Sequence, residues 1–318
     1  MRIEGSLGNA KLASIAASQP SRALSEQLLG HPYGKHAGWV RARTGISTLR
    51  RLDPQEDILT YAAAAARDAL IQAELEAEHV DMLLVASCST AASPGAGLAE
   101  QLLAELHLDA AYLNLNAACA GFSYALAAAD SLVRTGSAQT VLIVAAEAMS
   151  SLLDDADLGT SIIFGDGAGA AVVTRADQPH IGPIVSGSDG SLAYLIAVDD
   201  QGHLRMKGQQ VFRWAVELLP GLTHDACLRA GVRLADIDIF VPHQANLRIT
   251  EAAVRSMDLR PDVRVVTDIS ESGNTSAASI PIALHNLRRS GPPITGAVAL
   301  FAGFGAGLTY SAQVAVLP

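Results

Sequence analysis

The sequence has few aromatic residues and few basic ones, and each shortage excludes a class of protein. Aromatic residues make up 4% of the 318 residues while half of the chain is hydrophobic, so the core is built mainly from small aliphatic side chains. Acidic residues outnumber basic ones and give a net charge of −10, so no basic stripe can neutralise nucleic-acid phosphates. The lack of a polybasic run also argues against binding to a membrane surface.

Long hydrophobic runs are missing as well. No apolar run reaches the roughly 20 residues that a membrane-spanning helix needs, and the segment MRIEGSLGNAKLASIAASQ lacks the charged and then apolar order of a signal peptide. We therefore expect a cytoplasmic protein with neither a membrane span nor a nucleic-acid partner. The three cysteines, Cys88, Cys119 and Cys227, show no CxxC spacing, which argues against a zinc site or a disulfide framework and predicts no bound metal.

The chain repeats itself at an offset of 157 residues. DALIQAELEAEHVDMLLV resembles DACLRAGVRLADIDIFVP, NAACAGFS faces GNTSAASI, and VLIVAAEA faces VALFAGFG, each pair at that one offset. Three pairs at a single offset predict two duplicated halves that pack as a pseudo-dimer within one chain. The polar, turn-rich segment 174–183 marks their boundary, so we predict an N-terminal half over 1–176 and a C-terminal half over 177–318.

Within each half, helical and strand patterns alternate along the chain. Helical spacing of apolar residues predicts one helix over 59–78 and another over 119–134, which Gly136 ends. Short apolar runs predict buried strands over 82–86 and 141–146. This alternation predicts an α/β fold with largely parallel sheets that helices cover on both faces.

One cysteine has a setting that favours reactivity. In LNLNAACAGFSYALAAADSLVRTG a short strand ends at Asn116 and a helix begins at about Cys119, so this thiol lies at the positive end of a helix dipole. The setting predicts a lowered pKa for the Cys119 thiol and places backbone N–H groups where they can stabilise an oxyanion. Cys88 and Cys227 lack such a setting, and we predict that both are small core residues.

The second half supplies two candidate partners for that cysteine. His243 follows Pro242 at the carboxyl end of a predicted strand, where open α/β sheets place their chemistry. Asn274 lies in SESGNTSAAS, a Gly-Asn turn that leads into a helix. In the repeat this turn is the counterpart of the Cys119 loop, so a pseudo-twofold axis between the halves would bring the two helix starts near each other.

Several short motifs occur in the order found in one known family. NAACAGFSYAL, IIFGDGAGAAVV, VPHQANLRI, SGNTSAAS and FGAGLTY follow one another, and RTGI and VFRWAV extend the match over nearly the whole chain. The set resembles the type III β-ketoacyl-acyl-carrier-protein synthases. The resemblance implies the thiolase fold, with five αβαβα layers made from two duplicated halves, and a homodimer. It implies no cofactor, since coenzyme A enters only as the acyl-CoA substrate.

The resemblance also implies a mechanism and a role for each matching residue. Cys119 takes an acyl group from acyl-CoA, and malonyl-acyl-carrier-protein then loses carbon dioxide and attacks the thioester. His243 and Asn274 act as neutral donors to the enolate, and the backbone N–H groups of Cys119 and Ala306 form an oxyanion hole. The other matches are the coenzyme A and pantetheine contacts Trp39, Arg43, Phe212, Asn246 and Phe304, and the carrier-protein contacts Arg213, Arg248 and Arg255.

Some residues depart from the family pattern. Leu158 stands where many members have an arginine that contacts coenzyme A, which predicts a weaker grip on its phosphates or a donor other than free acyl-CoA. Ala92, Ser93 and Pro94 replace a phenylalanine that often closes the acyl pocket from the neighbouring subunit, so we expect a larger starter pocket. Pro220 interrupts a long predicted helix and should kink it or begin a new one.

Other readings of these motifs remain open. The same scaffold could transfer an acyl group from Cys119 to a hydroxyl or an amine, although Asn274 argues against this because such a transfer calls for a general base. A non-catalytic, carrier-binding subunit is a further alternative, and retention of Cys119, His243 and Asn274 argues against it. FGDGAGAA resembles a dinucleotide-binding loop, but a strand pattern follows it where a phosphate cradle needs a helix, so we predict a structural turn.

Overall fold

Two five-stranded sheets carry the fold in the computed structural model, which describes residues 8–36, 38–90 and 97–318. In this part of the chain the strands are β1 (Asn9–Ser18), β2 (Ala23–Ser25), β3 (Thr48–Arg50), β4 (Met82–Ala86), β5 (Ala111–Leu115), β6 (Thr140–Glu147), β7 (Gly167–Ala176), β8 (Val185–Ser188), β9 (Ile196–Val198), β10 (Leu204–Met206), β11 (Ile239–Pro242), β12 (Arg264–Val265), β13 (Val298–Gly305) and β14 (Thr309–Val316). The helices are α1 (Glu26–Gly30), α2 (Trp39–Thr44), α3 (Ile58–Gln72), α4 (Leu98–Leu106), α5 (Gly121–Arg134), α6 (Leu158–Ser161), α7 (Gly208–Ala230), α8 (Leu247–Val254), α9 (Ile269–Ser272) and α10 (Ser279–Ser290).

The two large sheets share one internal plan. Their strand orders are β1-β7-β6-β4-β5 and β8-β14-β13-β11-β12. In the first sheet β1, β7 and β6 pair antiparallel while β6, β4 and β5 pair parallel, and the second sheet repeats this pattern. The prediction of largely parallel sheets is therefore wrong, because a buried strand gives the same apolar run in either direction.

Helices and sheets alternate in five layers. α5 and α10 lie between the two sheets, where Phe122 and Phe301 meet edge-to-face with their ring centroids 6.4 Å apart. α3 and α4 cover the outer face of the first sheet, and α7 and α8 cover the outer face of the second. This arrangement confirms the predicted αβαβα architecture. Within the described residues every helix is too short or too polar to span a bilayer.

The internal repeat is visible in the placement of the elements. β4 and β11, β6 and β13, and α5 and α10 hold equivalent positions at the predicted offset, to within one residue. The boundary that we place between residues 176 and 177 falls after β7, which belongs to the first sheet, and before β8, which belongs to the second.

The observed ends of several helices and strands differ from the predicted ones. β4 coincides with the predicted strand over 82–86, and β6 is one residue longer at each end than 141–146. α3 ends at Gln72, not at 78, because Glu74 takes a left-handed backbone with φ of 56°. α7 continues through Pro220, so the alternative that a new helix begins there is wrong.

Candidate active site

Cys119, His243 and Asn274 converge on one cavity of about 740 Å³. A 3₁₀ turn at Ala118–Ala120 follows β5 and presents Cys119, while His243 comes directly after β11. Asn274 lies in the turn that precedes α10. The two halves therefore bring their helix starts together, as the repeat predicts.

Cys119 lies just before its helix, not within it. α5 begins at Gly121, two residues later than predicted, and Cys119 is the middle residue of the 3₁₀ turn. Ala118 takes a left-handed backbone with φ of 45°, and its N–H donates to Asn116 Oδ1 at 3.2 Å. This turn directs the thiol into the cavity while the first N–H groups of α5 remain close by.

The pKa of Cys119 moves against the prediction. Burial raises the pKa of the thiol to about 12, with a smaller raising effect from Glu147 and a lowering hydrogen bond from Ser276. A helix end contributes about 0.3–2 kcal/mol, which corresponds to about 0.2–1.5 pKa units. The predicted lowering is therefore wrong, because removing a thiolate from water costs more than the dipole of α5 returns.

A second thiol lies in the same cavity. Cys88 lines the cavity, and its Sγ is 3.4 Å from Ser276 Oγ, the hydroxyl that also hydrogen-bonds to Cys119. Burial, with Glu147 next in effect, raises the pKa of the Cys88 thiol. Cys88 packs against a hydrophobic core cluster but is only partly buried, so the prediction of a core residue misses its place on the cavity wall. Cys227 lies on the buried face of α7, as predicted.

His243 is held as a neutral imidazole. Burial lowers its pKa to about 3, so the ring carries no charge at neutral pH. Its Nδ1 lies 2.7 Å from Ser279 Oγ, and its backbone N–H donates to the Ala302 carbonyl at 2.7 Å. The ring also meets Phe304 edge-on, with 5.3 Å between centroids. These contacts leave Nε2 as the ring nitrogen that faces the cavity.

Asn274 is oriented by its own backbone and by one side-chain bond. Its N–H donates to the Ile163 carbonyl at 2.9 Å, and its carbonyl accepts from the Gly165 N–H at 3.0 Å. Asn274 Oδ1 accepts from the Ser276 N–H at 2.9 Å, which leaves Nδ2 free to donate into the cavity. Gly165 belongs to the motif FGDGAGAA, so this motif holds the backbone of Asn274 in place. The motif leads into β7 and not into a helix, which confirms the prediction of a structural turn.

The end of β13 touches the Cys119 turn. A Cβ added at Gly305 would lie 2.7 Å from the backbone nitrogen of Cys119. The Thr309 hydroxyl lies 2.9 Å from the carbonyl oxygen of Ala117 and 3.0 Å from that of Ala306, and it ties the two segments together. Cys119 and Ala306 consequently lie side by side on the wall of the same cavity.

The other predicted contacts lie along this cavity, with one exception. Two cations flank the Trp39 ring, the Arg43 guanidinium carbon at 4.9 Å and Lys35 Nζ at 5.1 Å from its centroid. Arg255 is exposed just beyond α8 and does not line the cavity. The wall also includes Phe212, Arg213, Asn246, Arg248, Phe304 and Leu158.

Sequence reasoning missed the polar side chains that hold the site together. Ser276 and Ser279 belong to the same motif as Asn274, SGNTSAAS. Their closeness to Asn274 in the sequence could have indicated that their hydroxyls help to form the site. Glu147 was visible as an acid at the end of an apolar strand, and it accepts from the Cys88 N–H at 3.1 Å.

The starter-pocket prediction on Ala92, Ser93 and Pro94 falls outside the described residues. In the described ranges no group of three or more His, Cys, Asp or Glu side chains could hold a metal ion.

The layered fold and this cavity define a thiolase-fold enzyme. A family model described as 3-oxoacyl-[acyl-carrier-protein] synthase III matches residues 113–190, and the model of its C-terminal part matches residues 227–317. The beta-ketoacyl-[acyl-carrier-protein] synthase III 4 of Streptomyces coelicolor is 40% identical, over 97% of this chain and 98% of its own length. The chain therefore belongs to the 3-oxoacyl-[acyl-carrier-protein] synthase III family.

Solved structures agree with this membership. The priming beta-ketosynthase from the R1128 polyketide biosynthetic pathway matches with a TM-score of 0.94 at 36% identity, over 100% of this chain and 98% of its own. The 3-oxoacyl-[acyl-carrier-protein] synthase III from Aquifex aeolicus VF5 matches with a TM-score of 0.92 at 34% identity, over 97% of this chain and 100% of its own. Both confirm the thiolase fold.

Proposed function

We propose that this chain catalyses a decarboxylative Claisen condensation. A starter acyl group moves from acyl-CoA to Cys119 and then onto malonyl-acyl-carrier-protein, which gives a β-ketoacyl-acyl-carrier-protein and starts a fatty-acid or polyketide chain. The observation that carries the proposal is the meeting of one thiol, one neutral imidazole and one amide donor at a single cavity. The names of the similar proteins support the same activity.

The first step loads the enzyme. The sulfur of Cys119 attacks the acyl carbon, the bond from that carbon to the coenzyme A sulfur breaks, and coenzyme A leaves as its thiol with the proton from Cys119. Because burial raises the pKa of Cys119 to about 12, the proton leaves during the attack and not before it. The backbone N–H groups of Cys119 and Ala306 donate to the oxyanion that forms on the acyl oxygen.

The second step makes the carbon–carbon bond. The malonyl carboxylate leaves as carbon dioxide, and its electron pair moves onto the thioester oxygen as an enolate. His243 and Asn274 donate hydrogen bonds to that oxygen, and as neutral groups they do not hold the malonyl carboxylate in the ground state as a cation would. The enolate carbon then attacks the acyl carbon on Cys119, and the bond from that carbon to the Cys119 sulfur breaks. The sulfur leaves as a thiolate and takes up a proton from solvent.

The acyl-CoA donor enters along the wall that carries Trp39. The indole ring and the Arg43 guanidinium offer a flat face and a positive charge, which suit an adenine and its phosphates. Asn246 Nδ2 donates to the Arg43 carbonyl at 3.3 Å and links this entrance to α8. Leu158 supplies no charge on the wall, so the phosphate contacts depend on the Trp39 side. The pantetheine arm passes Phe212, Asn246 and Phe304.

The carrier protein docks on Arg213, Arg248 and Arg255. Arg213 and Arg248 are exposed at the cavity, and the Arg248 guanidinium carbon lies 5.9 Å from the centroid of the Phe212 ring. Arg255 follows Arg248 by seven residues, which is two helical turns, so both extend from the same side of α8. On a chain with a net charge of −10, this local positive patch orients an acidic carrier that the whole surface would repel.

We further propose that the enzyme works as a cytoplasmic homodimer. β5 lies at the edge of the first sheet, and Tyr112 and Leu113 on it are 38% and 49% exposed. An exposed edge strand with apolar side chains pairs readily with a second copy, and twofold pairing of β5 would continue the sheet across the interface. Cys119 follows β5 within four residues, so the dimer contact supports the nucleophile turn.

Intact-protein mass spectrometry tests this proposal. The protein is incubated with a panel of acyl-CoAs, then with malonyl-acyl-carrier-protein, beside the variant Cys119→Ala. We expect an acyl adduct on wild type alone, and its loss together with formation of a β-ketoacyl carrier once the malonyl carrier is added. An adduct that the malonyl carrier never releases would contradict condensation and favour transfer to a hydroxyl or an amine. An adduct that forms only from acyl carrier protein would contradict acyl-CoA as the donor.

A further inference from the structure

His243 has two possible neutral forms, and only one of them suits the proposed reaction. A neutral imidazole carries its hydrogen on either Nδ1 or Nε2, and the nitrogen without hydrogen is an acceptor. Nε2 faces the cavity, because Nδ1 is taken up by the contact of 2.7 Å with Ser279 Oγ. A donor to the enolate oxygen therefore requires the hydrogen on Nε2. With the hydrogen on Nδ1, a lone pair would face the negative oxygen.

The hydrogen bonds of Ser279 distinguish between these two forms. Its hydroxyl accepts from the Gln244 N–H at 3.4 Å, and its own hydrogen must then find an acceptor. Among the described residues His243 Nδ1 is the acceptor within hydrogen-bond distance of this hydroxyl. Ser279 is 1% exposed, so water does not compete for that hydrogen. Nδ1 thus accepts from Ser279, and the hydrogen of the neutral ring belongs on Nε2.

We propose that Ser279 is a positioning residue that holds His243 in the form with hydrogen on Nε2, so that the imidazole donates to the malonyl enolate. The inference rests on the proposed condensation. Ser279 is the first residue of α10 and touches neither substrate nor the reacting atoms; it acts through His243. The lowered pKa of His243 agrees with this arrangement, since a charged ring would carry hydrogens on both nitrogens.

The first test separates the two half-reactions in the full chain. Ser279→Ala removes the hydroxyl donor, so we expect decarboxylation of malonyl-acyl-carrier-protein on the acylated enzyme to lose about 10-fold or more in kcat, with KM little changed. Acylation of Cys119, followed by intact mass, should stay within about twofold of wild type, because it does not use the His243 donor. Equal loss in both half-reactions, or no loss in decarboxylation, would overturn the proposal.

A matched serine provides the control. Ser123 lies in the first turn of α5, is fully buried, and its hydroxyl has no hydrogen-bond partner in the described part of the chain. Ser123→Ala removes a hydroxyl from an equally buried helix start and should leave both half-reactions unchanged. A loss of decarboxylation in Ser123→Ala like that in Ser279→Ala would assign the effect to helix packing and contradict the proposal.

A second measurement reads the hydrogen directly in the wild-type protein and needs neither the Ser279→Ala variant nor turnover. The nine histidines are labelled with ¹⁵N, and two-bond proton–nitrogen correlations report which ring nitrogen carries the hydrogen. The His243 signal is the one that His243→Asn lacks. We expect the hydrogen on Nε2 in wild type, and hydrogen on Nδ1 would refute the inference. If the spectrum shows Nε2–H while wild type makes no β-ketoacyl carrier, the proposed function fails and the placement of the hydrogen stands.

Discussion

At the scale of single residues, the space beside Cys119 is as important as the charges around it. Gly305 has an extended backbone with φ of −172°, so its value lies in the missing side chain and not in conformational freedom. A Cβ there would come within 2.7 Å of the Cys119 nitrogen and 2.9 Å of the Cys119 Cβ. The contact of β13 with the nucleophile turn thus tolerates no side chain at this position.

This contact predicts the effect of the smallest possible enlargement. Gly305→Ala should push the Cys119 turn away from Ala306, so the two backbone N–H groups no longer point at one oxyanion. We expect acylation of Cys119 to slow by about 10-fold or more, measured as a time course of intact mass. Gly190→Ala is the control, because a Cβ at Gly190 meets nothing within 4 Å. Acylation of Gly305→Ala at the wild-type rate would contradict this prediction, because it would show that the Cys119 turn can shift without loss of activity.

At the scale of elements, α7 shows how packing overrides a local signal. Pro220 lies inside this helix and cannot donate a hydrogen bond to the carbonyl of Val216, yet the helix continues to Ala230. Leu219 and Ala226 are buried against the second sheet and hold both halves of the helix on one surface. Burial of this apolar face offsets the cost of the proline. The sequence alone suggested an interruption because it shows the proline but not the packing that compensates for it.

The proline should therefore cost stability that a substitution recovers. Pro220→Ala restores the missing donor and removes the ring, so we expect the free energy of unfolding to rise by up to about 3 kcal/mol in urea denaturation. Gly221→Ala in the same helix is the reference: its Cβ meets open space, and it should add only about 0.5–1 kcal/mol. A lower stability of Pro220→Ala would mean that the proline ring packs favourably in the native helix.

At the scale of the whole molecule, the first sheet ends in an unpaired edge. β5 pairs with β4 on one side, and its other side has no strand neighbour among the described residues. Of the exposed large apolar side chains in the described residues, Tyr112 and Leu113 are neighbours on this one strand edge. A second copy related by a twofold axis would cover them and complete the backbone hydrogen bonds of the edge.

A charge on that edge should separate the proposed dimer. Leu113→Lys places a lysine where two copies of β5 would meet, so we expect a shift from dimer to monomer in size-exclusion chromatography with light scattering. The circular dichroism spectrum should stay unchanged, because Leu113 is 49% exposed in the single chain. Ile71→Lys on α3 is the matched control, since Ile71 is 71% exposed and α3 packs on the outer face of the sheet against β1, β7 and β6. A Leu113→Lys protein that remains dimeric would place the interface elsewhere.

Local patterns in the chain were enough to predict the duplicated architecture, the bounds of β4, and the meeting of Cys119, His243 and Asn274. Apolar runs and a repeated order of elements survive folding unchanged, so they can be read before any contact is known. The roles of these three residues remain predictions. Only the folded structure decided three other features: the direction of the strands, the raised pKa of Cys119 and the position of Cys88 in the cavity wall. Each depends on groups distant in sequence that burial brings together, and burial is a property of both halves at once.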